Sequence, residues 1–118
     1  MEINKEVLKG NIDTIVLAQL ALRPMYGYEL AKSTRDRSAG RFELKEATLY
    51  LALKRLEQQR LVESYWDGNE DSGGGRRKYY RITPDGRSRY AAKREEWEWV
   101  KAILDTFLKE ENDEHADH

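Results

Sequence analysis

Three clusters of side chains in this sequence are equipped for recognition chemistry. The first is Arg76, Arg77 and Lys78, and the second is Lys54, Arg55 and Gln58 with Thr48, Tyr50 and Leu51 beside them. Their cationic and amide donors suit phosphate oxygens and the edges of bases. The third is Trp97, followed by Trp99 and Lys101, where flat indole faces could stack against a planar molecule. A nucleophile and a base for catalysis are hard to name. With 0 Cys there is no thiolate, disulfide or thiolate metal site, and the two His, at 115 and 118, fall in an acidic tail where solvation is the expected fate. No paired carboxylates mark a pocket. Catalytic residues, metal and cofactor are therefore not expected, and an enzyme is the least supported class.

These clusters must be positioned by regular elements, and the apolar spacing shows which. Leu8, Ile12, Ile15, Gln19 and Leu22 step by 4, 3, 4 and 3, which predicts one helix over 5–22, stopped by Pro24. Met25-Tyr26-Gly27 reads as a short turn, and a second helix follows from Tyr28 to Arg37 with Leu30, Ala31 and Thr34 inward. A third begins near Glu46, where Leu49, Leu53 and Leu56 face inward. Its opposite face then carries Ala47, Leu51, Lys54, Arg55 and Gln58. Segments 61–66 and 78–83 are rich in strand formers and predict an antiparallel hairpin. The polar, glycine-rich stretch 67–75 between them reads as a mobile tip, with Gly73 to Gly75 supplying adaptability and Glu70 and Asp71 an acidic half. Thr83-Pro84-Asp85 supplies a cap, a first-turn proline and a first-turn acid, so a last helix is expected from Pro84 to Leu108. At 1.5 Å per residue it is a rod of about 37 Å. Tyr90, Trp97, Val100, Leu104 and Phe107 occupy a and d sites of a heptad frame, with Lys93 in the d site after Tyr90. Such a seam asks for a partner helix.

Bulk properties bound the rest. A chain of 118 residues holds one core of ordinary size, and 39% hydrophobic content with 10% aromatics is enough to fill it. The longest uncharged apolar run, Ile15 to Leu22, contains Gln19 and is far short of the roughly 20 residues of a membrane span. No export signal is read at the start, so a cytoplasmic setting without a membrane partner is expected. The net charge of −1 hides segregation along the chain. Residues 73–94 carry eight basic and one acidic side chain, whereas residues 95–118 carry two basic and nine acidic ones. What decides the partner is the surface on which the basic block lies.

The order of three helices, a strand, a glycine loop and a strand is that of a winged helix-turn-helix, mainly α with a two-stranded wing. The third helix would enter a major groove about 12 Å wide, and the wing arginines would reach phosphates or the minor groove. The expected organisation is a DNA-binding domain over 1–83, a C-terminal dimerisation helix over 84–109 and a disordered tail over 110–118. The dimer interface is assigned to Trp97, Val100, Leu104 and Phe107. A dimeric interaction module that does not bind DNA is the alternative from another class, and it would show no preference for palindromic over random duplex.

The strings Met25-Tyr-Gly-Tyr-Glu-Leu30, Glu46-Ala-Thr-Leu-Tyr50 with Lys54-Arg-Leu-Glu57, and Gly75-Arg-Arg-Lys-Tyr-Tyr-Arg-Ile-Thr-Pro-Asp-Gly86 closely resemble the PadR family of bacterial transcriptional regulators. Three motifs in order and spacing carry the resemblance, which covers residues 5 to about 108. The single C-terminal helix is similar to the short subgroup of that family. The resemblance implies a homodimer on a palindromic operator in double-stranded DNA, acting as a repressor that responds to small aromatic or cationic compounds. It also implies an aromatic effector held between paired tryptophans at the dimer centre, with Trp97 at the matching position. Two residues depart from the family pattern. Lys101 stands where an acidic residue would attract cationic drugs, which turns the expectation toward a neutral or anionic ligand. Leu51 replaces the proline that often follows Thr-Leu-Tyr. From the residues alone, Trp97 and Trp99 read equally as plain core or dimer packing.

Overall fold

In the computed structural model, residues 5–68 and 75–109 are described. The elements run α1 (Lys5–Lys9), α2 (Ile12–Leu20), β1 (Met25–Tyr26), α3 (Gly27–Arg37), α4 (Glu46–Gln58), β2 (Val62–Asp67), β3 (Arg77–Ile82) and α5 (Pro84–Leu108). The fold is mainly helical with one small antiparallel sheet in the order β1-β3-β2.

The single first helix expected over 5–22 is corrected to two. Gly10 weakens the helix by roughly 1 kcal/mol relative to alanine, and Asn11 starts a new one. The Asn11 carbonyl accepts from the Ile15 N–H at 2.9 Å, while its amide Nδ2 donates back to the Val7 carbonyl at 3.2 Å. The second helix also ends at Leu20, short of the proline, and rotates the expected stripe. Val16, Leu17 and Leu20 form its core face with Gln19, while Leu22 lies outside and is exposed. Gln19 stays buried because its Oε1 accepts from Ser33 Oγ at 2.6 Å and from Arg37 Nη1 at 3.1 Å.

The turn expected at Met25-Tyr26-Gly27 is also corrected. Met25 and Tyr26 form a third strand, paired with Tyr80 and Tyr79 of β3, and α3 begins directly at Gly27. Two residues give no alternation to read, so pairing to a distant strand decides their conformation.

One core unites these pieces. Val16, Leu17 and Leu20 of α2, Leu30 of α3, and Leu49, Leu53 and Leu56 of α4 close against Met25, Val62 and Tyr80 of the sheet. The three leucines expected inward on α4 are all there, and Leu30 and Thr34 are the buried residues expected on α3. Strands β2 and β3 pair from Val62↔Ile82 to Asp67↔Arg77, within a residue of their expected ends. The tip residues 69–74, which include Glu70, Asp71, Gly73 and Gly74, and the tail 110–118 with His115 and His118, lie outside the described residues.

Helix α5 has the expected limits, and its start is locked to the body. Thr83 Oγ1 accepts from the Gly86 N–H at 3.0 Å and donates to the Arg60 carbonyl at 2.8 Å. Gly86 is buried so tightly that a Cβ there would overlap the Leu61 carbonyl and lie 2.7 Å from Ile82 Cγ1. Beyond Tyr90 the helix leaves the body, and none of its residues is buried.

Candidate nucleic-acid interface

The inward leucines of α4 leave the opposite face free. Ala47, Tyr50, Leu51, Lys54, Arg55 and Gln58 are exposed there, with Thr48 half-buried at the border. Leu51 is 59% exposed, an apolar side chain open to solvent between polar neighbours. Tyr50 is held in place by what it touches. Its ring end and hydroxyl sit against Gly27 at the start of α3, where a Cβ would lie only 2.9 Å from Tyr50 Cζ. The neighbouring Tyr80 phenol is pushed above its ordinary pKa by burial first, then by Glu57 and Tyr50.

Arg55 is also fixed. Its Nη2 donates to Asp13 Oδ1 at 2.7 Å and its Nε to Asp13 Oδ2 at 3.3 Å, a two-bond clamp from α2 to α4. The hydrogen bond to Asp13 raises the guanidinium pKa further above its usual value. Of the two cations on this face, Lys54 makes no ion pair among the described residues.

The wing presents its cations differently. Arg76 lies 5.9 Å over the Trp66 ring, Arg77 lies 5.1 Å over Tyr26, and Lys78 lies 5.7 Å from the Tyr80 centroid. Each contact is worth roughly 0.5–1 kcal/mol at an exposed site, enough to bias a side chain without neutralising it. Arg81, by contrast, is spent on Glu63 at 2.8 Å. Among the described residues, no ion pair engages Arg76, Arg77 or Lys78, which leaves three adjacent positive charges at the end of the hairpin.

The third cluster stands apart. On α5, Trp97 is 54% exposed, and Val100, Leu104 and Phe107 are exposed with it. Ile103 and Leu108, which the heptad frame leaves out, widen this face to an arc of about 140° at 100° per residue. Lys101 borders it. Trp99 projects about 160° away from Trp97, so the two indoles of one chain do not share a site. The structure thus places the named residues on three surfaces: the α4 face, the wing and the distal α5 face. Beside the α4 face, a cleft of about 610 Å³ opens between α2, α4 and the first half of α5, with Lys9, Asp13, Leu51, Arg55, Arg89 and Lys93 in its wall.

Sequence reasoning missed Asp13, Gly27, Tyr26 and Trp66, which position Arg55, Tyr50, Arg77 and Arg76 respectively. Only Gly27 carried a signal, as a glycine opening a helix. Among the described residues, no group of three or more His, Asp or Glu side chains could hold a metal ion, and no helix is long and apolar enough to cross a membrane.

A helix with a free, mostly polar face beside an antiparallel hairpin that carries basic residues defines a winged-helix protein of the DNA-binding class. Comparison with known proteins narrows the class. The profile of the Transcriptional regulator PadR-like family matches residues 16–92. A transcriptional regulator from Clostridium thermocellum is 42% identical with a TM-score of 0.78, covering 87% of this chain and 98% of its own. A PadR family transcription regulator from Clostridium difficile is 45% identical with a TM-score of 0.75, over 84% of this chain and 99% of its own. An uncharacterized protein of Lysinibacillus sphaericus is 36% identical over 107 residues, 91% of this chain and 96% of its own. The chain belongs to the PadR-like family of transcriptional regulators. Its activity is DNA-binding regulation of transcription, not enzymatic turnover.

Proposed function

We propose that the protein is a cytoplasmic homodimer that binds a palindromic operator, represses the adjacent genes and is released by a small aromatic ligand at the dimer centre. The observation that carries this reading is the distal half of α5. Six apolar side chains, Trp97, Val100, Ile103, Leu104, Phe107 and Leu108, stand in solvent on one arc of a helix whose other end is locked to the body. A second copy of the same helix covers such an arc by two-fold symmetry. Residues 1–83 then serve as the DNA-binding unit and 84–109 as the dimerisation helix.

In this dimer the two α4 helices enter successive major grooves about 34 Å apart. Lys54, Arg55 and Gln58 face the groove, Thr48 and Tyr50 meet the backbone, and Leu51 offers an apolar contact to a thymine methyl. Arg76, Arg77 and Lys78 grip phosphates beside the groove. Two symmetry-related Trp97 indoles form a stacking slot for a planar ligand, and Lys101 at its edge favours a neutral or anionic one. A ligand there acts by fitting one spacing of the recognition helices better than the other.

The test is a mobility shift on the duplex upstream of the protein's own gene, against random competitor at two salt concentrations. Saturable, competitor-resistant binding is expected, weakening about 10³-fold or more between 50 and 200 mM salt if six or more phosphates are contacted. The double variant Arg76→Glu/Arg77→Glu should lose binding while remaining a folded dimer. Full affinity in that variant removes the wing from the interface. Quenching of Trp fluorescence by planar aromatic compounds, coupled to loss of the shifted band, tests the ligand.

A further inference from the structure

The clamp between Asp13 and Arg55 has a consequence for what Arg55 recognises. The carboxylate takes the Nε edge of the guanidinium, through Nε and one hydrogen of Nη2. The other edge of the guanidinium, on a side chain that is 48% exposed, carries one free N–H from each of the two terminal nitrogens. These two parallel donors are the pair that matches O6 and N7 of guanine. A free arginine on a helix surface loses much of its rotamer freedom when it is ordered. Here much of that ordering precedes DNA, because the guanidinium is already held to a second helix.

Charge argues in the same direction. The pair is close to neutral as a unit, so its pull on a phosphate is small. A phosphate could take the same two donors, but it would then sit beside the Asp13 carboxylate, anion against anion. A neutral base edge accepts the same two donors without that repulsion. Lys54, with no ion pair among the described residues, has no such restraint.

We propose that Arg55 reads one guanine in each half-site through its free guanidinium edge, and that Asp13 is the positioning residue that makes it a base reader rather than a phosphate contact. This rests on the operator-binding reading above and adds one base of specificity to it. Asp13 is not on α4, so the sequence preference of the recognition helix is set partly from α2.

The experiment uses the full chain and a duplex enriched by the wild-type protein from a random-sequence library. Each G·C pair of one half-site is replaced in turn by A·T. Wild type should lose about 10- to 100-fold in affinity at the pair that Arg55 reads. Asp13→Asn keeps the shape of the side chain and removes its charge, and Arg55→Lys keeps the cation and removes the fork. Both variants should bind the parent duplex and that one substituted duplex within about twofold of each other. Discrimination at the other pairs should persist, and the double variant should be no less selective at this pair than either single. A clip that merely braces α2 against α4 would instead lower the Tm and weaken binding to every duplex equally, with discrimination intact, and this overturns the proposal. Tighter, less selective binding by Asp13→Asn, with a salt slope steeper by about one, also overturns it, since Asp13 would then be withholding Arg55 from a phosphate. Failure of the wild type to enrich any sequence overturns the operator-binding reading itself and is a distinguishable result. Should Asp13→Asn fold poorly, Asp13→Ser in the same assay decides the positioning role and Arg55→Lys the base reading.

Discussion

The two ends of helix α5 live in different physical worlds. From Pro84 to Tyr90 the helix is capped by Thr83, pressed through Gly86 onto the Leu61 turn and tied by Arg87 Nη1 to the Ala21 carbonyl at 3.4 Å. From Ala91 to Leu108 no side chain is buried, and only Asp105 is even partly covered. Its own ion pairs, Lys93 with Glu96 and Lys109 with Asp105, are both 3.6 Å long and exposed. Such pairs add about 0.2–0.5 kcal/mol each, and most helix stability in proteins comes from packing an apolar face rather than from propensity. One continuous helix is thus anchored by the body at its start, and in the proposed dimer by a partner at its end.

The strongest way to break this comparison is to charge the distal face. Val100→Glu combined with Leu104→Glu should convert the dimer to monomers by sedimentation equilibrium, with loss of distal helix content in far-UV circular dichroism. Placing four carboxylates in one apolar seam costs far more than the seam can return. An unchanged dimer would mean that the exposed arc is not the interface. The body should be indifferent, keeping its near-native unfolding of the winged-helix core.

The converse perturbation is in the body. Leu30 is fully buried in the core. Leu30→Ala should cost about 2–5 kcal/mol, read as a lower urea midpoint. Below that midpoint the protein should still sediment as a dimer. A Leu30 variant that instead falls apart into folded monomers would show that body and interface are one cooperative unit.

Which parts of this arrangement could be read from the sequence follows from how local their causes are. Helix α4 and the limits of α5 were legible because Leu49, Leu53 and Leu56 and the Thr83-Pro84-Asp85 cap act within a few residues of the ends they define. The first helix was misread because its apolar stripe runs unbroken across Gly10 and Asn11, so periodicity outvoted a single glycine and a cap. Strand β1 was invisible because its two residues are recruited by β3, more than fifty positions later. The candidate site divides the same way. The free face of α4 and the basic end of the wing follow from where the core leucines and the strand formers lie. Their fine positioning does not, because Asp13 reaches Arg55 across 42 positions and Arg76 meets Trp66 only through the register of the hairpin. Ile103 and Leu108 escaped the heptad frame because that frame marks the centre of a seam and not its width.

The smallest expected effect falls on the joint between the two regions. Thr83 makes two side-chain hydrogen bonds, accepting from Gly86 and donating to Arg60, and its own N–H donates to the Leu61 carbonyl at 3.0 Å. Thr83→Ala removes both side-chain bonds and should cost about 1–2 kcal/mol, whereas Thr83→Ser, which keeps the oxygen, should recover most of it. The measurement that matters is where the loss appears. If the start of α5 belongs to the body, urea unfolding of the winged helix shifts, amide exchange quickens around Gly86 and Arg87, and the dimer dissociation constant stays within about twofold. The distal seam begins at Trp97, about 21 Å along the helix from Thr83, too far for a lost cap to act directly. A dissociation constant that rises tenfold in Thr83→Ala would mean that the orientation of the whole rod is set at its cap. Binding energy in the seam would then depend on that one hydroxyl, and the division drawn at Tyr90 would fail.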